Sequence, residues 1–135
     1  DERLVSTIDI TATTLSMAGI RSPKSIQGRV LLGPKREADR EYVFAAADRL
    51  GETFFKSRGI RGMKYHYIRN YNHDLSVNSS ATAYRRAMHP IWHVLHILNE
   101  QHMLAPEQKA LVDPMAEEEL YDVEKDPYEI HNLAV

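Results

Sequence analysis

Three histidines, His89, His93 and His96, are spaced so that imidazoles fall on neighbouring turns of a helix, an arrangement able to hold zinc. No carboxylate stands within the cluster, and His89 precedes Pro90, where a helix has yet to begin. Hydrogen-bonded surface histidines are therefore the expectation, and no metal ligand is assigned.

Asp48-Arg49 carries the second possible chemistry. It follows the apolar run Tyr42-Val43-Phe44-Ala45-Ala46-Ala47, which has the length and content of a strand covered on both faces. At the edge of a rigid sheet such a pair could face a ligand, because arginine grips sulfate, phosphate or carboxylate with a two-pronged fork. Asp48 and Arg49 are thus the candidate substrate-binding residues; the plainer alternative is a strand-end ion pair. Arg58, Arg61, Lys64 and Arg69 surround an expected hairpin and either extend an anion-facing surface or serve as solvated edge charges.

Other chemistry is limited by what the sequence lacks. It has no cysteine, which excludes disulfides, thiolate zinc sites and cysteine nucleophiles from these residues. There is no Gly-x-Ser-x-Gly elbow, phosphate-binding glycine loop or His-Glu-x-x-His pair, so no catalytic residue is assigned. Asn78-Ser79-Ser80 is a formal glycosylation acceptor, a triplet common by chance.

The positioning elements follow from pattern. Asp9 is expected to cap a Thr-rich helix running to about Ala18, with Leu15 and Ala18 on one face and Gly19-Ile20 as its left-handed exit. Arg21 to Arg40 reads as an exposed connection anchored by Ile26, Val30, Leu31 and Leu32. After the apolar strand, Ser57–Arg61 and Lys64–Tyr71 flank Gly62-Met63, which suits a type II′ hairpin. Asn72 to Ala87 reads as a long surface loop. Pro90 opens an amphipathic helix to about His102, with Ile91, Val94, Leu95 and Leu98 on the face that would dock on a sheet. A short helix at 106–112, a strand at 119–123 and a capping box at Asp126-Pro127-Tyr128-Glu129 complete the order. The fold class expected is α+β, a small antiparallel sheet of about four strands packed with helices.

The chain's 135 residues and 43% hydrophobic content suit one small domain over 1–135, with residues 1–20 forming a leading helix and 41–135 the sheet and helices. A net charge of −2, from 17 basic and 19 acidic residues, gives no reason to expect nucleic acid or acidic lipid as a partner. No apolar run approaches the roughly 20 residues needed to span a membrane. The opening Asp1-Glu2-Arg3 is unlike a signal peptide, and a charged start is expected of a chain cut from something longer.

One segment is more specific than any of these patterns. Glu119-Leu120-Tyr121-Asp122-Val123-Glu124-Lys125-Asp126-Pro127-Tyr128-Glu129-Ile130-His131-Asn132-Leu133-Ala134 resembles the C-terminal signature of formylglycine-dependent sulfatases. Leu4 to Ile10, with Thr14-Leu15 and Ala18-Gly19-Ile20, is similar to the helix that follows the last core strand in that family. Ile26-Gln27-Gly28-Arg29, Tyr42-Val43-Phe44-Ala45 and Lys64 to Asn70 appear in the family's order, so the resemblance spans nearly the whole chain. It points toward carbohydrate sulfatases of the heparan N-sulfatase kind. Two positions depart: Thr13 stands where the family often has Pro, and Ala47 where an Arg commonly precedes the Asp-Arg pair, which removes a cation beside that edge.

The resemblance implies a C-terminal subdomain that packs on an N-terminal catalytic domain and shapes a substrate cleft, in a periplasmic or secreted protein. It also implies a full-length parent with calcium and a formylglycine made from a Cys/Ser-x-Pro-x-Arg motif. Neither is assigned to this chain, whose Ser22-Pro23 does not continue into that motif. On this reading the chain alone is inactive. The alternatives are a self-standing module binding sulfated carbohydrate and part of a related phosphoesterase. A chain parted from its catalytic domain would bare an apolar face and tend to form homodimers.

Overall fold

The computed structural model describes residues 2–51, 53–79 and 83–134. Helix α1 (Ile8–Met17) leads into an irregular segment, then strands β1 (Val43–Leu50), β2 (Thr53–Arg61) and β3 (Tyr65–Asn70). Three helices, α2 (Ala83–Met88), α3 (Ile91–Glu100) and α4 (Pro106–Lys109), precede β4 (Glu118–Asp122). The strands form one sheet in the order β1-β2-β3-β4, with every neighbouring pair antiparallel. The expected α+β class is the one observed.

Threonine makes α1 a weak helix by intrinsic propensity, and tertiary hydrogen bonds compensate. The N-cap is Thr7, which makes no side-chain cap bond. Asp9, expected at that position, is the helix's second residue, fully buried. Its carboxylate accepts from the backbone N–H of Ser6 at 3.0 Å and of Arg29 at 2.8 Å, and from Arg40 Nε at 2.8 Å. The Thr13 hydroxyl donates to the Asp9 carbonyl at 2.7 Å and accepts from the Leu31 N–H at 3.0 Å. The buried face is therefore Asp9, Ala12 and Thr13, whereas Leu15 is half-buried and Ala18 exposed. The exit is as expected: Gly19 has φ 74°, its N–H bonds the Ser16 carbonyl at 3.1 Å, and the Ile20 N–H bonds the Leu15 carbonyl at 2.9 Å.

The connection to β1 lies against α1. A Cβ on Gly28 would stand 2.1 Å from the Ile8 carbonyl oxygen, so only glycine lets the two backbones approach this closely. Ile26, Val30 and Leu31 are half-buried anchors, and Leu32 is exposed.

Strand β1 departs from expectation. It lies at the sheet edge, and Phe44 is 74% exposed, so its apolar run is not covered on both faces within this chain. The β2–β3 hairpin forms, with Arg61 opposite His66, but Gly62 is not among the glycines with positive φ, so no type II′ turn is made. A Cβ at Gly62 would meet the Tyr42 ring at 3.4 Å, an ordinary van der Waals contact.

Between β3 and β4 the chain makes a helical excursion. Helix α2 occupies part of the stretch expected to be loop, and α4 is shorter than expected. Pro90 is the N-cap of α3, which buries Leu95 but leaves Ile91 and Val94 exposed. Among the described residues α3 packs on α2 and not broadly on the sheet, which corrects the expected docking.

The family-like final segment acts as a clamp. The Asn132 side chain accepts from the Leu120 N–H at 2.9 Å and donates to the Glu118 carbonyl at 2.9 Å, and the Leu133 N–H reaches the Leu120 carbonyl at 2.8 Å. Asp126 accepts from the N–H groups of Ile130 and His131, both at 2.7 Å. The expected capped helical turn does not form, because Glu129 has φ 54° and its carboxylate turns to the hairpin instead.

The apolar core is sparse. Among the described residues Ala12, Leu95 and Tyr121 are the buried hydrophobic ones. Burial and the nearby Glu119 carboxylate, which accepts the Tyr121 hydroxyl at 2.7 Å, push the Tyr121 pKa above its ordinary value.

Candidate functional site

Asp48 and Arg49 lie within β1, not beyond its end. The β1–β2 register shifts between Ala47 and Arg49: Ala47 pairs with Ser57 and Arg49 with Phe54. Asp48 thus stands opposite both Phe55 and Lys56, a bulge that increases local twist and re-aims the side chain. Its carboxylate accepts from Arg58 Nη2 at 2.7 Å, while Arg58 Nη1 bonds the carbonyls of Ala47 at 2.9 Å and Ser57 at 2.7 Å. The Asp48–Arg58 pair is exposed and adds little to stability, but it neutralises one cation of this edge.

Arg49 differs. Its guanidinium lies 4.3 Å from the centre of the Phe54 ring, a cation–π contact that orients the group without consuming its charge. Among the described residues it has no carboxylate partner. Three cations of the hairpin do: Arg61 pairs with Glu129 at 2.9 Å, Lys64 with Asp122 at 4.0 Å, and Arg69 with Glu117 at 2.8 Å and with Glu118, whereas the Lys56 ammonium lies 4.6 Å from the centre of the Tyr71 ring. The arginines of the hairpin are therefore charge-compensated, and of Arg49, Arg58, Arg61 and Arg69 it is Arg49 that has no carboxylate partner among the described residues.

The histidines do not converge. The His93 ring Nε2 is 2.8 Å from the Arg86 carbonyl, and His96 stands 3.4 Å from Glu100. Among the described residues no three His, Asp or Glu side chains group as a metal site would require. Of the glycosylation triplet, Ser80 lies outside the described residues.

Sequence reasoning missed a polar cleft in the β3–β4 excursion. Its lining includes Asn78, Arg86, Trp92 and Asn99. The spacing of Trp92, His96 and Asn99 along one helical face is the signal the sequence carries, but the residues that face it, Asn78 and Arg86, fall in a stretch whose pattern is that of a loop.

An antiparallel α+β sheet clamped by its own final segment defines the fold, and the comparisons supply the relationship. No family model matches the chain. An ulvan-active sulfatase from Formosa agariphila is 31% identical over 134 residues, covering 99% of this chain and 22% of the relative. A second ulvan-active sulfatase from the same organism is 30% identical over 98% of this chain and 25% of its own length. Among solved structures, a 2-O GAG sulfatase aligns with TM-score 0.60 and 22% identity over 99% of this chain and 21% of that one. A protein solved in complex with its substrate D-glucosamine-2-N,6-O-disulfate aligns with TM-score 0.53 and 19% identity over 93% of this chain and 19% of that one. At those identities the two solved structures show a shared fold. The chain is a sulfatase homologue, and it spans about a quarter or less of the length of the curated relatives it matches.

Proposed function

We propose that residues 1–135 are the C-terminal subdomain of a carbohydrate sulfatase, packing on an N-terminal catalytic domain and forming one wall of its substrate cleft. The observation that carries this reading is the alignment with ulvan-active sulfatases along 98–99% of the chain. The sparse core supports it physically, since Phe44 and Phe54 on the sheet are more than half exposed, as expected of surfaces that another domain covers.

Arg49 is the residue of this chain proposed to touch substrate, its fork binding a sulfate or carboxylate group of the polysaccharide. Asp48 is proposed as its companion, accepting from a sugar hydroxyl when it is not held by Arg58. The calcium and formylglycine of sulfatase chemistry do not fit the groups present. There is no cysteine, Asp9 is committed to Arg40, and Asp122 accepts from the Lys125 N–H at 3.3 Å. No catalytic step is assigned to these residues.

The test is the sequence of the gene on the N-terminal side of Asp1. A Cys/Ser-x-Pro-x-Arg motif there, with calcium-dependent release of sulfate from an ulvan oligosaccharide by the encoded protein, is the expected result. Absence of the motif from the gene, or turnover of an aryl sulfate by the 135-residue chain alone, would overturn the reading.

A further inference from the structure

The excursion between β3 and β4 builds a cleft of about 310 Å³. One wall is a closed turn: the Ser76 N–H bonds Ser79 Oγ at 2.8 Å, the Ser79 N–H bonds Ser76 Oγ at 2.9 Å, and the Asn78 N–H is held by the Leu111 carbonyl at 2.8 Å. The other wall is α3, presenting Trp92, His96 and Asn99 from one face. His93 joins the two helices. A carbonyl only accepts, so the ring donates from Nε2 to Arg86, which leaves Nδ1 of the neutral ring as an acceptor.

Three groups in this cleft have unspent capacity. The side-chain amides of Asn78 and Asn99 and the indole N–H of Trp92 make no hydrogen bond to described residues, although all three side chains are half-buried. A partly desolvated amide gains from a partner that both donates and accepts, which is what a sugar hydroxyl does. Beside the amides, the Trp92 ring offers an apolar face for the C–H face of a pyranose. Among the described residues no carboxylate lines the cleft, while Arg86, which donates to the Ser79 carbonyl at 3.2 Å, brings positive charge to it. The volume is at the low end of the roughly 300–1,000 Å³ of small-ligand pockets, enough for a single sugar unit.

We infer that the cleft between α3 and the Ser76–Ser79 turn is a subsite for one unit of an anionic polysaccharide, with Trp92 stacking on the ring and Asn78 and Asn99 bonding its hydroxyls. The inference rests on the proposal that the parent acts on such a polysaccharide, and it adds a contact sharing no residue with the Arg49 edge.

Trp92 is the chain's single tryptophan, so its emission reports this cleft directly. Titrating the 135-residue chain with a heparin-derived tetrasaccharide should change Trp92 emission saturably, with maltotetraose binding at least about tenfold more weakly. Asn78→Ala and Asn99→Ala remove no side-chain bond to a described residue and should each weaken binding several-fold with an unchanged circular dichroism spectrum. An emission that stays flat to millimolar tetrasaccharide would overturn the subsite. So would calorimetric binding that survives both asparagine changes and vanishes in Arg49→Ala, an outcome that leaves the sulfatase reading intact. Equal affinity for maltotetraose would overturn the anionic class. Failure of the sulfatase reading shows separately, as absence of the formylglycine motif from the gene.

Discussion

Asp9 and Arg40, 31 residues apart in sequence, form an ion pair whose aspartate is fully buried and whose arginine side chain is 16% exposed. Arg40 reaches back over the irregular connection to hold the first turn of α1. The hydrogen bond from Arg40 holds the Asp9 carboxyl well below the usual carboxylate range, against the opposing effect of burial; the N–H groups of Arg29 and Ser6 lower it further. A folded-state pKa below the unfolded one contributes stability that is present above the ordinary value and lost as pH falls. Melting temperature should therefore drop between about pH 5 and about pH 2, and Asp9→Asn should flatten that part of the profile. At neutral pH the same change should cost about 3 kcal/mol in a urea titration, because it leaves Arg40 without its buried partner.

Gly28 tests the approach of the connection to α1. Alanine there would place Cβ against the Ile8 carbonyl, a backbone atom that cannot rotate away. Gly28→Ala should cost about 1–3 kcal/mol, measured by chemical denaturation.

Glu129 ties the final segment to the hairpin through Arg61 and through His66 Nδ1, both at 2.9 Å. Glu129→Ala should cost about 1 kcal/mol. It should also speed amide exchange at Leu133, whose N–H bonds β4; unchanged exchange there would show that Asn132 alone suffices.

The Asp48–Arg58 pair sets the charge of the β1 edge. On a heparin column Asp48→Ala should elute at higher salt than wild type, since it releases the Arg58 guanidinium, and Arg49→Ala at lower salt. Identical elution of all three proteins would remove the anion-binding role of this edge.

Phe44, exposed on the edge strand β1, and Phe54, exposed on the neighbouring β2, favour self-association. Light scattering of the isolated chain should show mass rising toward a dimer across micromolar concentrations, and a constant monomer mass would refute this.

Local chemistry made several elements legible. Pattern and punctuation located β3, β4 and the Ser57–Arg61 part of β2, and Gly19 marked the end of α1 because a left-handed exit needs glycine. Misreadings came where distant groups compete for a side chain. Glu129 carries a capping-box pattern, yet Arg61 and His66 offer its carboxylate charge-assisted partners that a local N–H cannot match. Asp9 resembles a cap, yet Arg40 and Arg29 draw it into the interior. The apolar run of β1 implies cover on both faces, but Phe44 is 74% exposed, because no described element packs over it.

The sequence by itself determined the α+β pattern, the sulfatase resemblance and Asp48-Arg49 as a candidate, since residue types and short spacings encode these. Tertiary structure decided which charges remain available. Salt bridges join residues far apart in the chain, so only the folded sheet reveals that Arg58, Arg61 and Arg69 are spoken for and Arg49 is not. It likewise brought Asn78 opposite Trp92 and Asn99, a juxtaposition that depends on the turn folding against α3.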